Sequence, residues 1–156
     1  MKQYIYNILI LANVCQTYAN ITHLDIKPNN MIYCPIKKKL SLIDFGTARY
    51  FSPTNRRKLM PISQPIGTEY YAAPEISDLN FNNTSDTYCI GRIIQYFVDG
   101  DMPIGTDGHR LLERMLTVDP MIRPSLVDVM DSPWFTEKAV RRARVSWNQR
   151  ADTSTC

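Results

Sequence analysis

Between His23 and Asn30 the chain places a carboxylate, an ammonium and two amides in one polar loop, His23-Leu24-Asp25-Ile26-Lys27-Pro28-Asn29-Asn30. Asp44 follows 19 residues after Asp25 (44 − 25) and leads into Phe45 and Gly46. Carboxylate and amide oxygens suit hard cations, and a lysine ammonium acts on an anion as a point charge. Phosphoryl transfer asks a protein mainly to position a nucleophile and to neutralise phosphate charge, and these residue types can do both. Taken singly, they read as a surface carboxylate, a solvated lysine and turn asparagines. Only their order along the chain separates the two readings.

The elements that must carry these residues are legible in outline. Ile5, Ile8, Leu9, Ala12, Cys15 and Ala19 recur at helical spacing and predict an amphipathic helix over 5–19. Met1-Lys2, the apolar run and the Thr17-x-Ala19 step also sketch a signal peptide, but Asn7 and Asn13 interrupt it and favour the helix. Met31-Ile32-Tyr33 and Leu40-Ser41-Leu42-Ile43 predict a small hairpin whose turn exposes Lys37, Lys38 and Lys39. From Asp44 to Glu75 no element is evident, and a stretch that long is functional or disordered. Asp86–Val98 predicts a helix buried on most sides. Leu111–Leu116 predicts a second, ended before Pro120, and Leu126–Met130 a third, opened by Ser125. The fold class expected is mainly α with one small β-hairpin.

Composition bounds the rest. A chain of 156 residues holds one ordinary domain, and 44% hydrophobic residues supply a core. A net charge of +3 is too mild for a nucleic-acid protein. Cys15, Cys34, Cys89 and Cys156 form no C-x-x-C pair, and His23 and His109 add no cluster, so neither a zinc site nor a disulfide framework is expected. Reduced thiols point to the cytoplasm or nucleus. No apolar run is long enough to span a bilayer.

The motifs are collinear with those of a known family. His23–Asn30 resembles the catalytic loop H-R-D-x-x-x-x-N of the eukaryotic protein kinases, with Leu24 in the Arg position. Asp44-Phe45-Gly46 resembles D-F-G, and Gly67–Glu75 is similar to the end of an activation segment that closes on A-P-E. Asp86–Gly91 is similar to D-x-W/Y-S-x-G, Asp119–Pro124 to D-P-x-x-R-P, and Ser132–Phe135 to H-P-W-F. The resemblance is to the large, C-terminal lobe of a serine/threonine kinase over residues 1–136, with 137–156 as a basic tail. It implies that Asp25 accepts the substrate hydroxyl's proton and that Lys27 reaches the γ-phosphate of ATP. It further implies that Asn30 and Asp44 hold Mg²⁺ and that Thr68 ties the activation segment to Asp25 and Lys27. Glu75 and Arg123 would form a buried ion pair, Asp86 would hold the catalytic loop, and His23 would be a packed scaffold residue.

The departures matter as much. These residues contain no G-x-G-x-x-G loop, no V-A-I-K lysine and no partner glutamate, so the expectation is a large lobe without its small lobe. ATP and Mg²⁺ would then bind weakly or not at all. Leu24 removes the Arg that pairs with a phosphorylated activation loop, and the 98–111 connection is too short for the usual substrate-docking helix. Three readings follow: a kinase lobe active when a small lobe is supplied, a mimic that binds and inhibits a full-length kinase, or a truncated gene product. Partners are accordingly a protein substrate, a full-length kinase or a second copy of this chain. In the tail, Arg141–Ser146 resembles a basophilic phosphorylation site or nuclear-localisation run, against the plainer reading of a solvated terminus.

Overall fold

A computed structural model describes residues 1–135. The basic tail with Ser146, and the lobe boundary drawn at 136, lie outside the described residues.

Helix α1 spans Lys2–Val14 and buries Ile5, Tyr6, Ile8, Leu9 and Ala12, one stripe at i, i+3, i+4 and i+7. It runs on through a π-helical turn, Cys15–Ala19, that turns Gln16 inward. Asn20, with φ of 52°, ends it in the left-handed region that Asn tolerates. The helical stretch predicted over 5–19 is therefore present, starts earlier and widens in its last turn.

The centre of the molecule is α2, Ser85–Asp99. Ile90, Ile93 and Ile94 on it pack with α1, with α3 (Gly105–Met115) and with α4 (Leu126–Met130) in one apolar core, closed by Trp134 and Phe135. Gly91 lets α2 and α3 approach, since a Cβ there would lie 2.9 Å from Leu116 Cδ2 and 3.1 Å from Met115 Cβ. Ser125 caps α4 reciprocally: its Oγ accepts from the Asp128 N–H, and the Asp128 carboxylate accepts from the Ser125 N–H. Helix α3 begins six residues before the apolar cluster that announced it, because its first turns, Gly105-Thr106-Asp107-Gly108, carry no large apolar side chain.

Among the described residues, three two-stranded antiparallel ladders complete the fold. The hairpin pairs β2 (Met31–Cys34) with β3 (Lys39–Leu42), register Met31↔Leu42, and Leu40 enters the main core. The stretch 44–75 is more structured than its sequence suggests. Strand β1 (Ile21–Thr22) pairs with β4 (Arg49–Tyr50), and β5 (Met60–Pro61) pairs with β6 (Asn80–Phe81). Single 3₁₀ turns stand at Phe45–Thr47 and Pro74–Ile76. A second core of Leu24, Phe51, Ile62, Ala73, Ile76 and Phe81 holds the segment down. Two-residue strands are too short for a period of two to show, which is why the sequence reading found no element here. Among the described residues no helix is long and apolar enough to cross a membrane.

Candidate active site

The polar loop is anchored from below by α2. Asp86, fully buried in the first turn of that helix, accepts the backbone N–H groups of His23 (3.0 Å) and Leu24 (2.9 Å) and the Gln16 side-chain amide (3.3 Å). Burial pushes the Asp86 carboxyl up, and the N–H groups of Leu24 and His23 oppose that. The anchor bends the chain sharply, with Leu24 at φ of 66° and its side chain buried in the second core. His23 is a scaffold: its Nδ1 accepts from the Asp25 N–H (3.3 Å), leaving Nε2 to donate to the Ile43 carbonyl (3.0 Å). It thereby clips the loop to the strand end that carries Asp44.

Four of the five candidate residues meet around one carboxylate. Asp25 Oδ2 lies 2.8 Å from Lys27 Nζ and accepts from Asn30 Nδ2 at 2.9 Å. Asp25 Oδ1 accepts from Thr68 Oγ1 at 2.7 Å, and Lys27 Nζ donates in turn to Thr68 Oγ1 at 2.6 Å. Burial acts to raise the Asp25 carboxyl, but the hydrogen bonds from Lys27, Thr68 and Asn30, with the Lys27 charge, outweigh it and hold the group below the ordinary carboxylate range. Asn30 Nδ2 also donates to the Asp25 carbonyl at 2.9 Å, which fixes the amide plane. Gly67 permits Thr68 to arrive here. At φ of 84°, a Cβ on it would stand 2.4 Å from the Leu24 carbonyl oxygen.

The fifth, Asp44, stands apart. The hairpin brings it to the same end as Asn30, since the Ile43 N–H donates to the Asn30 carbonyl at 3.0 Å. Among the described residues no hydrogen bond joins it to the other four; its Oδ1 accepts from the Gly46 N–H at 3.3 Å. Asp44 is exposed and left-handed at φ of 60°, and Phe45 behind it packs edge-on against the His23 ring at 4.8 Å. The donor chemistry fits a divalent cation of the Mg²⁺ kind. With Nδ2 engaged on Asp25, Asn30 keeps Oδ1 as the atom that could ligate such an ion, and Asp44 adds a solvent-facing carboxylate. Two oxygen side chains are what such an ion takes when phosphates and water complete its shell.

The supporting pair is also formed. Arg123, with no exposed surface, donates from Nη1 to Glu75 Oε1 (2.7 Å) and from Nη2 to Glu75 Oε2 (2.8 Å). Its remaining donors reach the carbonyls of Thr117, Thr84 and Val118, and Ser85 Oγ donates to Glu75. Sequence reasoning missed several contributors. Gln16 reads as one more polar residue on an amphipathic helix and carries no signal. Arg57 ties the segment to the loop before α4, donating to the carbonyls of Met121 (3.0 Å) and Arg123 (2.8 Å). Beside Thr68, Tyr70 meets Tyr71 edge-on at 5.0 Å, and the Arg92 guanidinium lies over the Tyr70 ring at 4.3 Å. Burial pushes the Tyr71 hydroxyl up, as do the neighbouring Tyr70 and Tyr96, whereas Lys27 and Arg92 pull it down.

Residues 1–109 match the protein kinase domain family model, and this chain belongs to that family. The buried pair joins Glu75, inside the matched span, to Arg123, beyond it. Among curated proteins the chain is similar to a probable serine/threonine-protein kinase of Dictyostelium discoideum, 28% identical over 153 residues, covering 82% of this chain and 18% of that protein. It is similar to calcium-dependent protein kinase 3 of Oryza sativa subsp. japonica, 24% identical over 157 residues, covering 82% and 27%. The serine/threonine-protein kinase RIM11/MSD1 of Saccharomyces cerevisiae is 32% identical over 96 residues, covering 60% and 25%. The chain thus spans between about a fifth and a quarter of the length of these relatives.

Proposed function

We propose that this chain is the substrate- and metal-holding lobe of a serine/threonine protein kinase, transferring the γ-phosphoryl group of ATP to a protein hydroxyl when a small lobe is supplied. The observation that carries the reading is the closed ring of bonds among Asp25, Lys27 and Thr68, with Asn30 bracing the carboxylate. A serine or threonine hydroxyl at Asp25 donates its proton to a carboxylate already ionised, so the oxygen becomes nucleophilic as it attacks. Lys27 has three donors and uses two in the ring, leaving one to meet a phosphoryl oxygen. Thr68 holds both groups and fixes the acceptor segment beside them. Asn30 and Asp44 would hold Mg²⁺, which when bound supplies positive charge to the phosphates.

Cys15 and Cys89 carry free thiols, which suits a reducing compartment, cytoplasm or nucleus. A second reading, the mimic that inhibits a full-length kinase, is favoured by one observation. Ile32, Tyr33 and Ile36 on the hairpin are wet, Ile36 at 91% exposure, and such surface normally meets a partner.

The test is a transfer assay with labelled ATP, Mg²⁺ and a protein substrate, with and without a kinase small lobe added in trans. Label in the substrate only when the lobe is present, and lost with Asp25→Asn, is the expected result. Inhibition of a full-length kinase that survives both Asp25→Asn and Asp44→Asn would replace the enzyme by the mimic.

A further inference from the structure

Arg92 is the charged side chain that the ring around Asp25 leaves without a task. It lies half-buried on α2, and its Nε donates to the Tyr70 carbonyl at 2.9 Å while the guanidinium stacks over the Tyr70 ring. Those two contacts fix the plane of the fork. Its terminal nitrogens have no hydrogen-bond or ion-pair partner among the described residues. Half-buried guanidinium groups ordinarily take a carboxylate or phosphate in bidentate fashion. The exposed Glu69 next to Tyr70 does not pair with it.

The position of this fork is informative. Tyr71 and Ala72 both donate their N–H to the Thr68 carbonyl at 2.8 Å, and Thr68 Oγ1 donates to Asp25. Two residues of chain, from Thr68 to Tyr70, span about 7 Å at most. Tyr71 lies between, within electrostatic reach of both Lys27 and Arg92. Tyr96, four residues after Arg92 on the same face of α2, is exposed beside it. A protein segment with its hydroxyl at Asp25 can therefore lay flanking residues across Tyr71, Tyr70 and Arg92. That surface offers a cation framed by hydroxyls and rings, and the exposed Glu69 beside Tyr70 makes no ion pair with it among the described residues.

We propose that Arg92, stacked on Tyr70, determines specificity by receiving an acidic side chain of the protein substrate close to the acceptor hydroxyl. The inference rests on the reading of Asp25 as the acceptor site. A planar fork serves a carboxylate and a phosphorylated residue alike, and the test separates them.

Fluorescence anisotropy on the full 156-residue chain provides it, with labelled peptides that hold one serine flanked by Glu, Gln, Lys or phosphoserine. The Glu and phosphoserine peptides are expected to bind at least fivefold more tightly than the Gln peptide. A further gain for phosphoserine over Glu assigns a phosphorylated residue as the natural ligand, and equal binding assigns the carboxylate. Arg92→Gln should erase the preference and Arg92→Glu should transfer it to the Lys peptide. Arg92→Lys, which keeps the charge without the fork, should retain part of it, with melting curves confirming that each variant is folded. Equal binding of Glu and Gln peptides, no binding of any peptide, or a preference that survives Arg92→Gln would overturn the proposal. An Arg92-dependent preference in a chain that transfers no phosphate even with a kinase small lobe supplied keeps this site and defeats the transfer reading. Transfer onto Gln and Glu peptides with equal efficiency does the reverse.

Discussion

Asp25 shows how one side chain can carry both a fold contact and the chemical role proposed for it. Three donors converge on its carboxylate, so its ionised form is favoured in the folded protein more than in the unfolded chain. A carboxyl with a depressed folded value stabilises above its unfolded value, about 3.9, and loses that contribution as pH falls through the folded one. Wild type is therefore expected to melt above Asp25→Asn at pH 7, with the gap closing as the pH is taken below about 3.9. Melting temperature against pH for the two proteins checks this, and a gap that widened in acid would contradict it. The same ionised state means that Asp25, as the proposed base, is available across the neutral range, with no activity loss between pH 6 and 8 expected from this group. His23 beside it was legible as scaffold. Its two bonds, to the Asp25 N–H and the Ile43 carbonyl, leave it no free nitrogen for a proton relay.

Among the elements, the one most exposed to a single substitution is the junction of the 3₁₀ turn at Pro74–Ile76 with the loop that leads into α4. Arg123 there serves Glu75 and three backbone carbonyls at once. Arg123→Met is expected to destabilise by about 3–5 kcal/mol, the scale of a buried pair losing one partner. Adding Glu75→Gln should recover part of this, because it removes the unpaired buried charge, while the Thr84 carbonyl keeps the N–H groups of Thr87 and Tyr88 and Val118 is open to water. Urea unfolding of the single and double variants measures both. This pair was legible only through motifs, since nothing in the spacing of Glu75 and Arg123 indicates contact across 48 positions. The helices were legible from periodicity, as with Ile5, Ile8, Leu9 and Ala12, because their apolar faces are long enough to repeat. The β1–β4 and β5–β6 ladders were not, being two residues long and stabilised by Leu24, Phe51, Ile62 and Phe81 from distant parts of the chain. Of the candidate site, residue identities were legible and the bonds that unite them were not. The Arg92–Tyr70 stack was invisible, because it joins a helix face to a loop with no shared motif.

At the scale of the whole molecule, the wet apolar residues run from Ile32, Tyr33 and Ile36 on the hairpin to Ile43 and Phe45 beside Asp44. Apolar surface left in water forgoes about 25 cal/mol per Å². The chain is expected to associate, with itself or with a kinase small lobe, and light scattering across a concentration series checks the first. A monodisperse monomer that engages no kinase would defeat this expectation. Nucleotide follows the same logic. With Asn30 and Asp44 as the two proposed metal-side oxygen ligands among the described residues, Mg·ATP should bind at roughly millimolar strength or weaker. Ligand at 100 times its Kd raises stability by about 2.7 kcal/mol, so a melting shift is expected at tens of millimolar and absent at tens of micromolar. A micromolar shift lost with Asp44→Asn would show that this lobe suffices for nucleotide.

The grip of Asp86 on the polar loop has a consequence in time rather than in space. The N–H groups of His23 and Leu24 belong to an irregular segment, yet both end on a fully buried carboxylate in the first turn of the central helix. Loop amides ordinarily exchange with solvent through small local openings. These two can be freed only by moving the start of α2, whose Ile90 and Ile93 have no exposed surface. In deuterium oxide, His23 and Leu24 should therefore retain their protons as long as the slowest amides of α2, and Asp86→Asn should release them ahead of that helix. The Gly46 N–H, held only by the exposed Asp44, should exchange early in either protein. Asp25, the proposed base, and Asp44, the proposed metal-side carboxylate, would then belong to different cooperative units. The first stays set for as long as the lobe is folded, and the second is free to be rearranged many times within that lifetime.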